Sequence, residues 1–272
     1  MRNKASGGRV PVGNSAMEYI SFGRGSQPLV MIPGLSDGLR TVKGTASQMA
    51  RMFRCFAHSH TVYMLSRPNE LPDVYSTRAM AADYAVAMQQ LDITQADVFG
   101  ISQGGMIAQW LAIDHPQLVR KLVLAVTLSR QNNTVQTVVR RWIAMAEQND
   151  YARLFIDTME TSFTEAYLKK MRWLYPLLTR MGKPNSMHRL IIQAHSCITH
   201  DAHEQLHTIT CPTFVIGAGE DKVVGTDGTE IAAEIAGSQQ LIYEKLGHMP
   251  QTEAKDFNAQ LVQFFAKHTE ER

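Results

Sequence analysis

Short apolar runs recur along the chain with helix-forming segments between them: Leu29–Ile32, Thr61–Leu65, Ala96–Phe99, Leu122–Val126, Thr213–Ile216 and Gln240–Tyr243. Runs that are apolar throughout belong to strands buried on both faces, and strands alternating with helices close into a mostly parallel sheet covered on both sides. The expected fold class is therefore α/β, with a mostly parallel central sheet and helices on both faces. Segments near Val10 and over Met17–Phe22 are candidates for antiparallel edge strands.

The helical stretches carry their own periodicity. Met80, Tyr84, Met88 and Leu91 recur at spacings of four, four and three behind a Ser/Thr N-cap candidate, which predicts an amphipathic helix between Ser76 and Asp92. Met106, Ile107, Trp110 and Leu111 form a second stripe that must end before Pro116, and Phe257, Leu261, Phe264 and Phe265 form the last one. From Ser129 to His207 the rhythm changes: Val135, Val138, Val139, Trp142 and Ile143 keep helical spacing, and no convincing strand appears. We expect a core of residues 1–128 and 208–272, interrupted by a helical insertion over 129–207. The Met and aromatic residues of the insertion either pack helix against helix or line an apolar pocket.

A chain of 272 residues with 44% apolar content can bury one substantial core. Twenty-seven basic and twenty-five acidic residues give a formal net charge of +2, with no cluster suited to a phosphate backbone, so nucleic acid is not expected as a partner. The longest apolar runs fall far short of the roughly 18 residues a membrane span needs. After Arg2 and Lys4, Ser, Gly and Asn stand where a secretory signal would be apolar. Cys55, Cys197 and Cys211 are odd in number and widely spaced, which suits reduced, packed thiols. A soluble, cytoplasmic protein without membrane association is expected, and a homo-oligomer is compatible with the sequence.

The pattern G-x-S-x-G occurs twice, at Gly34–Gly38 and at Gly100–Gly104. A nucleophilic serine needs a tight turn from a strand into a helix, small flanking residues, and a helix N-terminus to favour nearby negative charge. Ser102 meets these demands: a strand candidate precedes it, Gly100, Gly104 and Gly105 surround it, and an amphipathic helix begins immediately after it. Ser36 does not, because Gly38 and Gly44 interrupt the segment C-terminal to it and the next helix is expected only near Thr45.

With this elbow, with Gly217-Ala218-Gly219-Glu220-Asp221 after a late strand and with Gly247-His248 before the last helix, the sequence resembles the α/β-hydrolase superfamily, particularly its small capped esterases and lactonases. The resemblance covers most of the chain outside the insertion and makes the insertion a cap, or lid. It implies partners in the order Ser, acid, His, which Ser102, Asp221 and His248 follow. Glu220 stays open as an alternative acid, and His268 in the terminal tail is the other late histidine. By the same resemblance the backbone amides of Leu35 and Gln103 form the oxyanion hole. Two departures stand out. Pro33-Gly34 replaces the frequent His-Gly, and Ser66–Pro72 lacks the glycine-rich Asp-x-Arg pattern, which leaves its loop structure open.

The implied activity is hydrolysis of a small-molecule acyl substrate, a carboxylic ester first of all, through an acyl-enzyme. Lactone, thioester, perhydrolase and carbon–carbon hydrolase chemistry stay open. A serine at the elbow argues against the haloalkane dehalogenases and epoxide hydrolases, which place an aspartate there. A non-catalytic ligand-binding or sensor protein on the same fold is the competing class. No cofactor is expected: no G-x-G-x-x-G follows a strand, and His195, His200, His203 and His207 lack a convincing metal-ligand spacing.

Overall fold

The computed structural model describes residues 5–226 and 228–267. Eight strands form one sheet: β1 (Ser6–Val12), β2 (Ser15–Gly23), β3 (Gln27–Ile32), β4 (His60–Pro68), β5 (Ala96–Ile101), β6 (Val119–Ala125), β7 (Thr213–Ala218) and β8 (Gln239–Tyr243). Their order is β1-β2-β4-β3-β5-β6-β7-β8. β2 pairs antiparallel with β1 and with β4, and every later pairing is parallel.

Period-two alternation sends the strand residues to two cores. Val30, Val98 and Leu122 pack under α2 (Thr77–Gln90) and α3 (Gln103–Asp114) with Met80, Tyr84, Ile107 and Leu111. Leu29, Met31, Phe99 and Val123 face the other way, toward Phe53, Phe257, Leu261 and Phe264. That second face is covered by α1 (Ala46–Met52), which has no buried residue of its own, and by a helix near the C-terminus. Ser76 caps α2 by accepting from the Ala79 amide at 3.1 Å.

Between β6 and β7 stand five helices, α4 (Asn133–Glu147), α5 (Tyr151–Ser162), α6 (Glu165–Met171), α7 (Tyr175–Met181) and α8 (His188–Cys197). Val135, Val139, Trp142 and Ile143 of α4 and Leu190 and Ala194 of α8 form a third cluster with Met106, Leu128, Val223 and Val224. This stretch therefore rests on the start of α3 and on the loop after β7. α9 (Gly228–Glu234), α10 (Pro250–Glu253) and α11 (Phe257–Ala266) are the remaining helices among the described residues. No helix among the described residues is long and apolar enough to cross a membrane.

Three boundaries differ from the sequence reading. β6 begins at Val119, ahead of the apolar run, because Lys121 is buried and its ammonium donates to the Phe265 carbonyl at 3.0 Å, capping the end of α11. The last helical region is split: Pro250 opens α10, and extended backbone at Ala254 separates it from α11. Ser66–Pro68 is strand, not loop, since β4 runs through Pro68. Of the cysteines Cys197 is packed, Cys211 is half-buried and Cys55 is exposed; all three are free thiols.

Candidate active site

β5 and α3 meet at Ser102 with no intervening loop. The join requires φ 54° and ψ −122° at Ser102, a left-handed conformation that side chains rarely adopt and that stores about 1–3 kcal/mol. It is held by its neighbours: the Ser102 amide donates to Ala125 O at 2.9 Å, and its carbonyl accepts from the Gly105 amide at 2.9 Å and the Thr127 hydroxyl at 2.8 Å. The turn leaves no room for side chains beside it. A Cβ on Gly104 would lie 2.0 Å from Ile32 O, and one on Gly100 would lie 2.4 Å from Gly104 O.

The loops after β7 and β8 bring the other two candidates to this point. His248 Nε2 is 2.9 Å from Ser102 Oγ, and His248 Nδ1 is 2.7 Å from Asp221 Oδ2. A neutral imidazole donating from Nδ1 to the carboxylate presents Nε2 to accept the serine hydroxyl. The second oxygen, Asp221 Oδ1, accepts the amides of Val223 at 2.8 Å and Val224 at 3.1 Å, so the carboxylate is fixed on both sides. Asp221 and His248 are 7% and 6% exposed, whereas the adjacent Glu220 is exposed. His268 lies outside the described residues.

Gln103 is the first residue of α3, and Leu35 the first of a 3-10 turn, Leu35–Gly38; amides at the start of helical turns have no acceptor within the turn. Gly34 keeps Leu35 close to the serine: a Cβ on Gly34 would lie 3.3 Å from Ser102 Cβ and 3.8 Å from its Oγ. Ser36, the competing serine, sits exposed on that 3-10 turn.

The family model described as alpha/beta hydrolase fold matches residues 27–255. The chain belongs to that family. It is similar to a pimeloyl-[acyl-carrier protein] methyl ester esterase of Neisseria meningitidis, 27% identical over 62% of this chain and 68% of that protein. A RutD protein of Serratia proteamaculans, named for carbamate hydrolysis, is 25% identical over 88% of this chain and 91% of that one. Among solved structures, an α/β hydrolase enzyme from a Medee basin deep-sea metagenome library superposes with a TM-score of 0.84 at 18% identity, covering 97% and 99% of the two chains. At that identity the likeness concerns the fold.

Behind the elbow this α/β hydrolase holds a buried polar network that the sequence reading missed. Arg67, wholly buried at the end of β4, donates through Nη2 to Gln103 Oε1 at 2.6 Å. The side-chain Nε2 of Gln103 donates to Gln193 O at 2.7 Å and Ser196 Oγ at 3.0 Å on α8. Asp37 Oδ2 accepts from Arg189 Nη2 at 2.7 Å, from the Arg67 amide at 3.2 Å and from Gln193 Nε2 at 3.3 Å. Arg189 also donates to Arg67 O at 2.9 Å. Asp37 thus hydrogen-bonds one guanidinium, that of Arg189, and has the Arg67 guanidinium 3.9 Å away, and the cluster joins both turns that carry the candidate oxyanion amides to a helix lying between β6 and β7. Only Gln103 of this set was a sequence candidate.

The histidines near the end of α8 do not converge. His200 is buried, with Nδ1 2.8 Å from Thr77 Oγ1 and Nε2 3.3 Å from Gln109 Oε1. Burial pushes its pKa down from 6.5 to about 3. His203 meets Ser129 Oγ at 3.2 Å, while His195 and His207 are exposed. Among the described residues no group of three or more His, Cys, Asp or Glu is arranged to hold a metal ion.

Proposed function

We propose that the chain is a serine hydrolase that cleaves small carboxylic esters through an acyl-enzyme on Ser102. The observation that carries this reading is the hydrogen-bonded chain from Ser102 Oγ through His248 to Asp221, at 2.9 and 2.7 Å. His248 Nε2 takes the hydroxyl proton as Oγ attacks the carbonyl carbon, and Asp221 stabilises the imidazolium. The amides of Leu35 and Gln103 receive the oxyanion, each worth roughly 3 kcal/mol of barrier. His248 then returns the proton to the leaving alcohol and activates water to release the acid. These steps draw only on groups of the protein.

Both curated relatives are named for cleaving a carbonyl carbon from a heteroatom, a methyl ester in one and a carbamate in the other. An ester is the simplest substrate of that kind. Ser102→Ala should abolish both covalent labelling by a fluorophosphonate and hydrolysis of short p-nitrophenyl esters. Labelling that persists in the variant would refute the role given to Ser102, and an inert wild type across esters, lactones and thioesters would favour a ligand-binding protein instead.

A further inference from the structure

A cavity of about 380 Å3 opens beside the candidate triad, inside the size range of small-ligand sites, about 300–1,000 Å3. Its lining includes Gly34, on which a Cβ would lie 3.3 Å from Ser102 Cβ, Ile101, which precedes that serine, and Met249, which follows His248. From there it runs against the sheet face formed by Met31, Met64 and Phe99 and against Val42 and Phe53, which flank α1, all in the core under α1 and α11. None of its lining residues comes from residues 129–207. Its outer wall is α1, through Met49 and the 48%-exposed Met52.

The lining chemistry selects its occupant. Five methionines, Met31, Met49, Met52, Met64 and Met249, surround the space. Thioether side chains bend to fit apolar groups of changing shape, which suits a flexible chain better than a rigid ring. Arg40, Thr41, Gln251 and Thr252 add polar groups to the lining. Pro33, Gly34 and Ser36, which bracket the Leu35 amide, also line the cavity, so it opens at the turn where the ester carbonyl of the proposed reaction would sit.

Resting on the hydrolase reading above, we propose that this cavity under α1, rather than a space under the helical insertion, holds the acyl chain of the substrate, and that the preferred acyl group is an unbranched aliphatic chain of medium length. Burying each added methylene in an apolar site favours the longer substrate, so discrimination between acetyl and octanoyl esters reaches at least about 10-fold.

The test compares wild type with Met49→Trp, which fills the cavity from its wall without touching the triad. Each is assayed on p-nitrophenyl acetate, butyrate and octanoate, and on ethyl, butyl and octyl acetates. Wild-type kcat/KM should rise at least about 10-fold from acetate to octanoate. Met49→Trp should lower the octanoate-to-acetate ratio of kcat/KM about 10-fold, with no matching change in the ratio of octyl to ethyl acetate. If Met49→Trp does not fold, Met49→Ala decides: its optimum should move to longer acyl chains. A flat wild-type profile, or one that both variants leave unchanged, overturns the acyl assignment alone. Sensitivity confined to the alkyl acetates overturns it too, by giving the cavity to the alcohol. A wild type inert on every ester removes the hydrolase reading, and this inference with it.

Discussion

Ser102 carries two burdens, a hydroxyl hydrogen-bonded to His248 and a backbone at φ 54°. The second can be relieved only by removing the first. Glycine adopts positive φ at little cost, so Ser102→Gly should unfold about 1 kcal/mol less readily than Ser102→Ala, a shift of roughly 2 °C in Tm, with both variants inactive. Thermal unfolding of the pair measures it; equal melting temperatures would mean that the elbow holds no strain. The serine was legible because the strain leaves a mark in the sequence. Contacts of 2.0 and 2.4 Å forbid a Cβ at positions 104 and 100, so glycine must stand at both. Asp221 was legible only through order along the chain; what separates it from Glu220 is burial against the Val223 and Val224 amides, which two adjacent acidic letters do not display. The methionines around the α1 cavity were hidden for a similar reason, since nothing in the sequence says which sheet face a long side chain from Met49 will reach.

At the scale of elements, the tie between α8 and the turns that carry Leu35 and Gln103 is electrostatic as well as apolar. Arg189 and Arg67 share Asp37, so their contributions cannot be independent. Replacing Arg189 by Met should cost about 2 kcal/mol, discounted for its partial exposure, and a double-mutant cycle with Arg67→Met should show at least about 1 kcal/mol of coupling in urea denaturation. Strict additivity would mean that Asp37 does not link them. The strands and most helices were readable in advance because a period of two or of 3.6 is local information. This network was not, because its members are remote: Asp37 and Gln193 are 156 positions apart, and Arg67 sits in a polar-looking segment whose burial depends on both. Lys121 misled in the same way, its charge masking the first residues of β6 while the carbonyl it caps lies 144 positions away.

For the whole molecule, His200 sets part of the response to acid. It bridges α2, α3 and the segment after α8, and it is held neutral by burial, with a pKa near 3 against 6.5 when free. The unfolded chain binds this proton first as the pH falls, so stability is full above pH 6.5 and drains away toward pH 3, by several kcal/mol in total. His200→Asn should flatten the slope of unfolding free energy over that window relative to wild type, and an unchanged slope would exonerate this residue. The layout of the sheet has a further consequence. β6 and β7 are hydrogen-bonded neighbours, so the chain departs at Ala125 and returns at Thr213 in the adjacent lane. The five helices in between form a detour whose two ends already meet. Such a detour can be lengthened, trimmed or exchanged by recombination without re-registering any strand, while Ser102, Asp221 and His248 stay on the sheet's own loops. The helices of the detour and the loops that carry the candidate triad can thus be inherited separately.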